Sequence, residues 1–295
     1  MKTGSLIKGI IIRTLIYGAL VFAALLWIFS TVMISAYREK GASATPIVFN
    51  VPFEKVAIKS KDGLDLPGWW IKSKTKSDSA VVLCHGLGAD KSDMLNYIPF
   101  LYRNGYNIFA FDFRGHGENL SKHTSLGFFE VNDLLGAIDY LKEKKVKNIG
   151  VIGRSMGGAV CIMTASKCKD IKAVVSDSAY ARLDPLLGHY AKKFYHLPFW
   201  PVVPMVKFIS QLRIGCNYNK VNPVEDIKNV HVPVCIIHGD KDENIVAENG
   251  KILFEAANEP KKLLIVPNAY HVESLSVAQK QYEKEVLEFF KKYLK

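Results

Sequence analysis

Acidic residues, cysteines and sequence repeats are what this 295-residue chain has little of. Only five cysteines occur, an odd number with no C-x-x-C pair, and most sit in apolar runs such as AVVLCHG and VPVCIIHG. These spacings exclude a zinc site, and buried free thiols are the expectation for Cys84, Cys161, Cys168, Cys216 and Cys235. A bridge from Cys161 to Cys168 would join positions nearly two turns apart on one expected helix, about 10 Å of rise, too far for a disulfide. Hydrophobic residues make up 49% of the chain and charged residues 23%. That balance excludes disorder and a disulfide-stapled miniprotein. No internal repeat or low-complexity tract is present. With 28 acids against 39 cations the net charge is +11, yet no basic, aromatic-interleaved motif or recognition helix accompanies it, which argues against nucleic-acid binding.

Charge is missing altogether from Thr14 to Tyr37, 24 positions that as a helix would rise roughly 36 Å. Apolar residues run all round this helix instead of forming one stripe, unlike a core helix of a soluble domain. Ala42-Ser43-Ala44 has the small residues of a signal-peptide cleavage site. The apolar run is nevertheless longer than a signal peptide needs, and Arg38-Glu39-Lys40 follows it, so an uncleaved anchor is expected. Residues 1–13 are then a cytoplasmic tip, 14–37 a transmembrane anchor, 38–50 a linker and 51–295 a single α/β domain. Lys2, Lys8 and Arg13 ahead of the span place the N-terminus in the cytoplasm and the domain outside the cell membrane. Unpaired cysteines sit uneasily with that oxidising side. Within the first forty residues Lys2, Lys8, Arg13, Arg38 and Lys40 face Glu39 alone, so +4 of the charge belongs to the anchor and +7 to the domain.

Strand signals follow. Val56 to Ser60 and Leu64 to Ile71 flank the turn Lys61-Asp62-Gly63, as in a hairpin. Apolar runs then recur at Ala80–Cys84, Tyr106–Phe111, Asn148–Ile152, Ala173–Ser176, Val234–Ile237 and Leu263–Val266, with helix-like spacers between them. The alternation predicts an α/β fold with a mostly parallel eight-stranded sheet wrapped by helices. Between Ser176 and Val234 the rhythm breaks. Pro198, Pro201 and Pro204 interrupt an aromatic-rich segment there, and an excursion of this length predicts a small helical lid over residues 182–230; the bland alternative is a helix pair packed on the sheet edge.

The most specific local pattern is Gly153-Arg154-Ser155-Met156-Gly157-Gly158, after the strand NIGVI and before a helix. Strand, sharp turn and helix are what a nucleophile elbow requires, with glycines where backbone approaches closely and Ser155 on the corner. A serine needs a base, and the base needs an acid to orient it. Of eight histidines, His271 alone follows the last strand and precedes the C-terminal helix; His85 and His238 suit backbone or packing roles. His238-Gly239-Asp240-Lys241-Asp242 ends the preceding strand. Asp242 is the preferred acid, with Asp240 and Asp177 as alternatives. Ser, Asp, His in that order matches one hydrolase architecture.

With His85-Gly86-Leu87-Gly88, Asp112-Phe113-Arg114-Gly115-His116-Gly117, the Ser155 elbow and His238-Gly239 with Asp242 in this order, residues 50–295 resemble the α/β-hydrolase superfamily. Within it they are most similar to bacterial serine aminopeptidase-like and lysophospholipase-like hydrolases. Asn119 departs from the serine that relatives often carry there. The resemblance implies an oxyanion hole formed by the backbone N–H groups of Leu87 and Met156, bracing roles for Arg114 and His116, and no cofactor or metal. The expected activity is hydrolysis of a small acyl or lipid-derived ester through an acyl-serine. Alternatives are an aminopeptidase-type peptidase, disfavoured by the few acids of the lid, chiefly Asp184 and Glu225, and a catalytically silent interaction module.

Overall fold

The computed structural model describes residues 2–35, 44–119, 121 and 123–294. Positions 36 and 37 of the expected span, and Ala42 and Ser43 of the expected cleavage site, lie outside them. The chain opens with α1 (Lys2–Ile34), in which Ile7–Ile34 is apolar enough and long enough to cross a bilayer, with mean hydropathy 2.2. Residues 2–13, expected as a separate tip, are helical and continuous with it.

β1 (Glu54–Lys59) and β2 (Asp65–Ile71) form the expected antiparallel hairpin, turning at Gly63, whose φ of 88° suits glycine. β3 (Ser79–Cys84), α2 (Ile98–Arg103), β4 (Asn107–Phe111), α3 (Glu130–Glu143), β5 (Asn148–Arg154), α4 (Met156–Ala165) and β6 (Ile171–Asp177) follow. The sheet then continues to β7 (Val234–Gly239) and β8 (Lys261–Val266), once a helical excursion has intervened. Strand order is β1-β2-β4-β3-β5-β6-β7-β8, parallel from β4 through β8. β3 explains why such strands read as continuous apolar runs. Ala80, Val82 and Cys84 face one buried layer, while Val81 and Leu83 face the other.

The excursion contains α5 (Leu183–Tyr195), α6 (Val202–Ile214) and α7 (Pro223–Asp226); α8 spans Glu248–Ala256. Pro198 and Pro201 fall in the break between α5 and α6, and Pro204 sits in the first turn of α6, where a missing N–H costs nothing. The chain ends with α9 (Ser274–Val277) and α10 (Gln279–Tyr293). All five cysteines are free, and Cys168 lies beyond the end of α4, so it does not share a helix with Cys161.

One arrangement differs from the sequence expectation of an anchor separated from the domain by a linker. The last turns of α1 pack on α6. Leu26, Ser30 and Ile34, four residues apart, are buried there, and Ser30 is small enough for the Ser210 hydroxyl to reach its own at 3.0 Å. Arg213 donates to the Trp27 carbonyl, Ser30 Oγ and Thr31 Oγ1, with its guanidinium 4.1 Å from the centre of the Trp27 ring.

Candidate active site

Ser155 stands between β5 and α4 at φ 52°, ψ −120°, a conformation that a non-glycine residue holds only when its surroundings impose it. The surroundings are glycines. A Cβ on Gly153 would lie 2.2 Å from the Gly157 carbonyl oxygen, and one on Gly157 would lie 2.3 Å from that of Cys84. Ser155 N–H donates to the Asp177 carbonyl at 2.8 Å, fixing the corner to the end of β6.

Three strand ends converge on it. His271, on the loop after β8, places Nε2 3.0 Å from Ser155 Oγ and Nδ1 2.7 Å from Asp242 Oδ2. Asp242, on the loop after β7, is held by its other oxygen, which accepts from the N–H groups of Asn244 at 2.9 Å and Ile245 at 2.8 Å. Burial works to raise the Asp242 carboxyl. Bonds from His238, His271 and the Ile245 N–H outweigh it and hold the group down at about 2. An ionised Asp242 accepts a hydrogen bond from the Nδ1–H of His271, and in that tautomer of the neutral ring Nε2 faces the serine hydroxyl as an acceptor.

The other acids do different work. Asp240 is exposed and accepts from the Asn268 N–H at 2.6 Å, tying the β7 loop to the β8 loop. Asp177 is fully buried, accepts from Ser178 Oγ at 3.0 Å and Ser274 Oγ at 3.1 Å, and burial pushes its carboxyl up. It braces the segment that follows His271 without touching that ring. Of the three acids weighed from sequence, the structure brings only Asp242 to the histidine.

The loop after β3 passes tightly over the serine, since a Cβ on Gly86 would meet Ser155 Cβ at 3.3 Å. Leu87 follows in that loop, and Met156 is the first residue of α4, so both expected N–H donors border Ser155. Neither donor has a backbone acceptor among the described residues. His85 fixes this loop by donating Nδ1–H to the Gly86 carbonyl at 2.7 Å and accepting the Phe113 N–H at 3.0 Å on Nε2. Burial drives its pKa well down, keeping the ring neutral. Arg114 ties Asp62 of the hairpin turn, at 2.7 Å, to Asp133 of α3, at 2.6 Å, a bracing role.

Two further residues support the site: His238, expected in a backbone or packing role, and Arg154, to which the sequence reading gave no role. His238 lies beneath Asp242, its Nε2 3.3 Å from Oδ2 and 2.6 Å from the Ile245 carbonyl. Arg154 links the Val272 carbonyl, at 2.8 Å, to Asp93 Oδ2, at 2.7 Å, and so ties the histidine loop to the loop after β3. Its place beside the nucleophile was the available signal.

Two cavities meet at Ser155. One, of about 260 Å³, runs between α1, α5 and α6 and is lined almost wholly by apolar side chains. The other, of about 540 Å³, is polar, bounded by Asp90, Ser92, Asp93, Arg154 and His271. Among the described residues no cluster of His, Cys, Asp and Glu has the arrangement of a metal site.

Known proteins agree with this architecture. A family model described as alpha/beta hydrolase fold matches residues 79–197. Uncharacterized protein YqkD of Bacillus subtilis is 31% identical over 242 residues, 80% of this chain and 79% of that protein. The Pyrococcus furiosus esterase Pf2001 superposes with a TM-score of 0.75 at 32% identity, covering 89% of this chain and 99% of its own. Pyrococcus horikoshii acylaminoacyl peptidase, at 22% identity and TM-score 0.63, shares the fold over 83% of this chain and 42% of its own. The chain belongs to the α/β-hydrolase superfamily.

Proposed function

We propose that this protein is a membrane-anchored serine hydrolase that cleaves carboxylic esters, with Ser155 as nucleophile, His271 as base and Asp242 as its orienting acid. His271 Nε2 takes the Ser155 proton while Oγ attacks the acyl carbon, and Asp242 stabilises the imidazolium that forms. The N–H groups of Leu87 and Met156 hold the oxyanion, helped by the positive end of α4; each such donor contributes about 2.7 to 4 kcal/mol to the transition state. The imidazolium then protonates the departing alcohol, and the same ring activates the water that hydrolyses the acyl-serine.

The observation that carries the ester reading is the lining at Ser155: the apolar cavity contains no acidic side chain, and in the other Asp93 is paired with Arg154 while Asp90 is tied down by Ser92. A peptidase that binds a free amino terminus needs a carboxylate there. The two acids that the sequence offered are already paired, Asp184 with Lys207 at 2.6 Å and Glu225 with Lys228 at 2.7 Å. An esterase among the structural relatives supports the same choice. The apolar α1 supports anchorage in the cell membrane, with the basic N-terminus inside and the domain outside.

Labelling of the purified full-length protein with a fluorophosphonate tests this reading. The wild type is expected to label and the Ser155→Ala protein to remain unlabelled; equal labelling of both, or of neither while folded, refutes it.

A further inference from the structure

The apolar cavity is not closed by the hydrolase domain alone. Phe29, Val32 and Met33 of α1 line it together with Leu187 and Tyr190 of α5, Val206 of α6 and Ser155. Val32 is half exposed, which places it at the rim, whereas Phe29 packs edge-on against Tyr195 with ring centres 5.3 Å apart. The helix proposed as the anchor is therefore also a wall of the proposed substrate site.

Depth follows from length. Counting from Thr14, where the uncharged run begins, about 20 helical residues cross a hydrocarbon core of about 30 Å, which reaches Met33. The turns of α1 that line the cavity thus lie in the leaflet next to the domain. The neighbouring surface is suited to that depth. Met205, Phe208 and Leu212 form one exposed apolar face of α6 at spacings of three and four, and Trp200 is exposed just ahead of it. A cavity of about 260 Å³ is below the roughly 300 to 1,000 Å³ of sites for drug-sized ligands, so its occupant is narrow. On the far side of Ser155 the wall is polar. Asp93 there is paired with Arg154, and Asp90 accepts from the neutral Ser92, so one carboxylate of that wall keeps its charge.

We propose that α1 forms part of the acyl-binding wall, and that the enzyme draws single-chain lipid esters from the leaflet holding α1, the chain passing Val32 into the apolar cavity and the polar alcohol into the second. This rests on the serine-hydrolase reading and deepens it by assigning the substrate class.

Full-length protein in phosphatidylcholine vesicles is assayed with p-nitrophenyl acetate, octanoate, decanoate and palmitate. Val32→Trp, a rim residue whose replacement leaves the core untouched, is expected to lower the decanoate-to-acetate ratio of kcat/KM at least tenfold. Met33→Ala should move the preferred chain toward palmitate, and Ile16→Trp, far from the cavity, should leave the whole profile unchanged. Leu212→Asp should reduce turnover of vesicle-borne decanoate relative to soluble acetate. A chain-length profile in Val32→Trp and Met33→Ala that scales uniformly or does not move overturns the proposal while leaving the hydrolase reading intact. A palmitate analogue carrying a diazirine provides a readout independent of catalysis. In Ser155→Ala protein it should crosslink to residues 29–33, and absence of such crosslinks overturns the wall. Crosslinking there, in a protein whose wild type hydrolyses none of the esters, supports the wall and refutes the hydrolase.

Discussion

Asp242, Asp240 and Asp177 were equivalent in kind before folding, each a carboxylate at a strand end; their partners separate them. Asp242→Asn removes the acceptor that orients His271 Nδ1–H. It is expected to lower kcat by about 10⁴-fold, as loss of the orienting acid does in such triads, whereas Asp240→Asn should stay within a few-fold in ester hydrolysis. Asp177→Asn should act on stability, because its Oδ1 holds both the buried Ser178 and Ser274 hydroxyls. Acid unfolding gives a second measurement. The folded Asp242 carboxyl stays ionised down to about 2, against an ordinary 3.8, so the unfolded chain takes up the proton first as pH falls. The stability linked to this group is complete above pH 4 and lost between about 4 and 2. Denaturant titrations across that window should show a shallower loss in Asp242→Asn than in wild type. Ser155 and His271 were legible because the roles proposed for them tie them to positions that sequence displays, the elbow and the loop after the last strand. Arg154 was not, since it acts through contacts between segments distant in the chain, with Asp93 and Val272.

Elements were readable nearly to their ends where a local pattern defines them. The run at Ala80–Cys84 became β3 at Ser79–Cys84, and the prolines after Tyr195 separated α5 from α6. The elbow between β5 and α4 depends on missing side chains, so Gly153→Ala and Gly157→Ala should destabilise the fold by about 3 kcal/mol or more, measured by denaturant unfolding. Docking of α1 on α6 was hidden. Leu26, Ser30 and Ile34 make a stripe of ordinary helical spacing, but in a run that is apolar on every side a stripe has no contrast. Arg213 is the polar clasp of that contact, so Arg213→Ala should raise amide hydrogen exchange over residues 26–34, corresponding to about 1.5 to 3 kcal/mol for bonds to a charged donor.

At the scale of the whole molecule, the hydrolase domain and the proposed anchor share a cavity, and removal of α1 would open one side of it. Retention of α1 is therefore the prediction. Intact-mass measurement of the protein from membranes should return the full 33.0 kDa, and a species starting near Ala44 would show cleavage. A compartment-sensitive reporter fused at the C-terminus should report the outer side of the membrane. Sequence alone determined the class of fold, the elbow, the order serine, acid, histidine and the uncharged helix, because periodicity, glycine placement and charge are local properties of a chain. Tertiary structure decided which acid meets the histidine, how β4 slips between β2 and β3, and that α1 walls the cavity beside Ser155. Those depend on the three-dimensional approach of residues well separated in the chain, which no local pattern encodes.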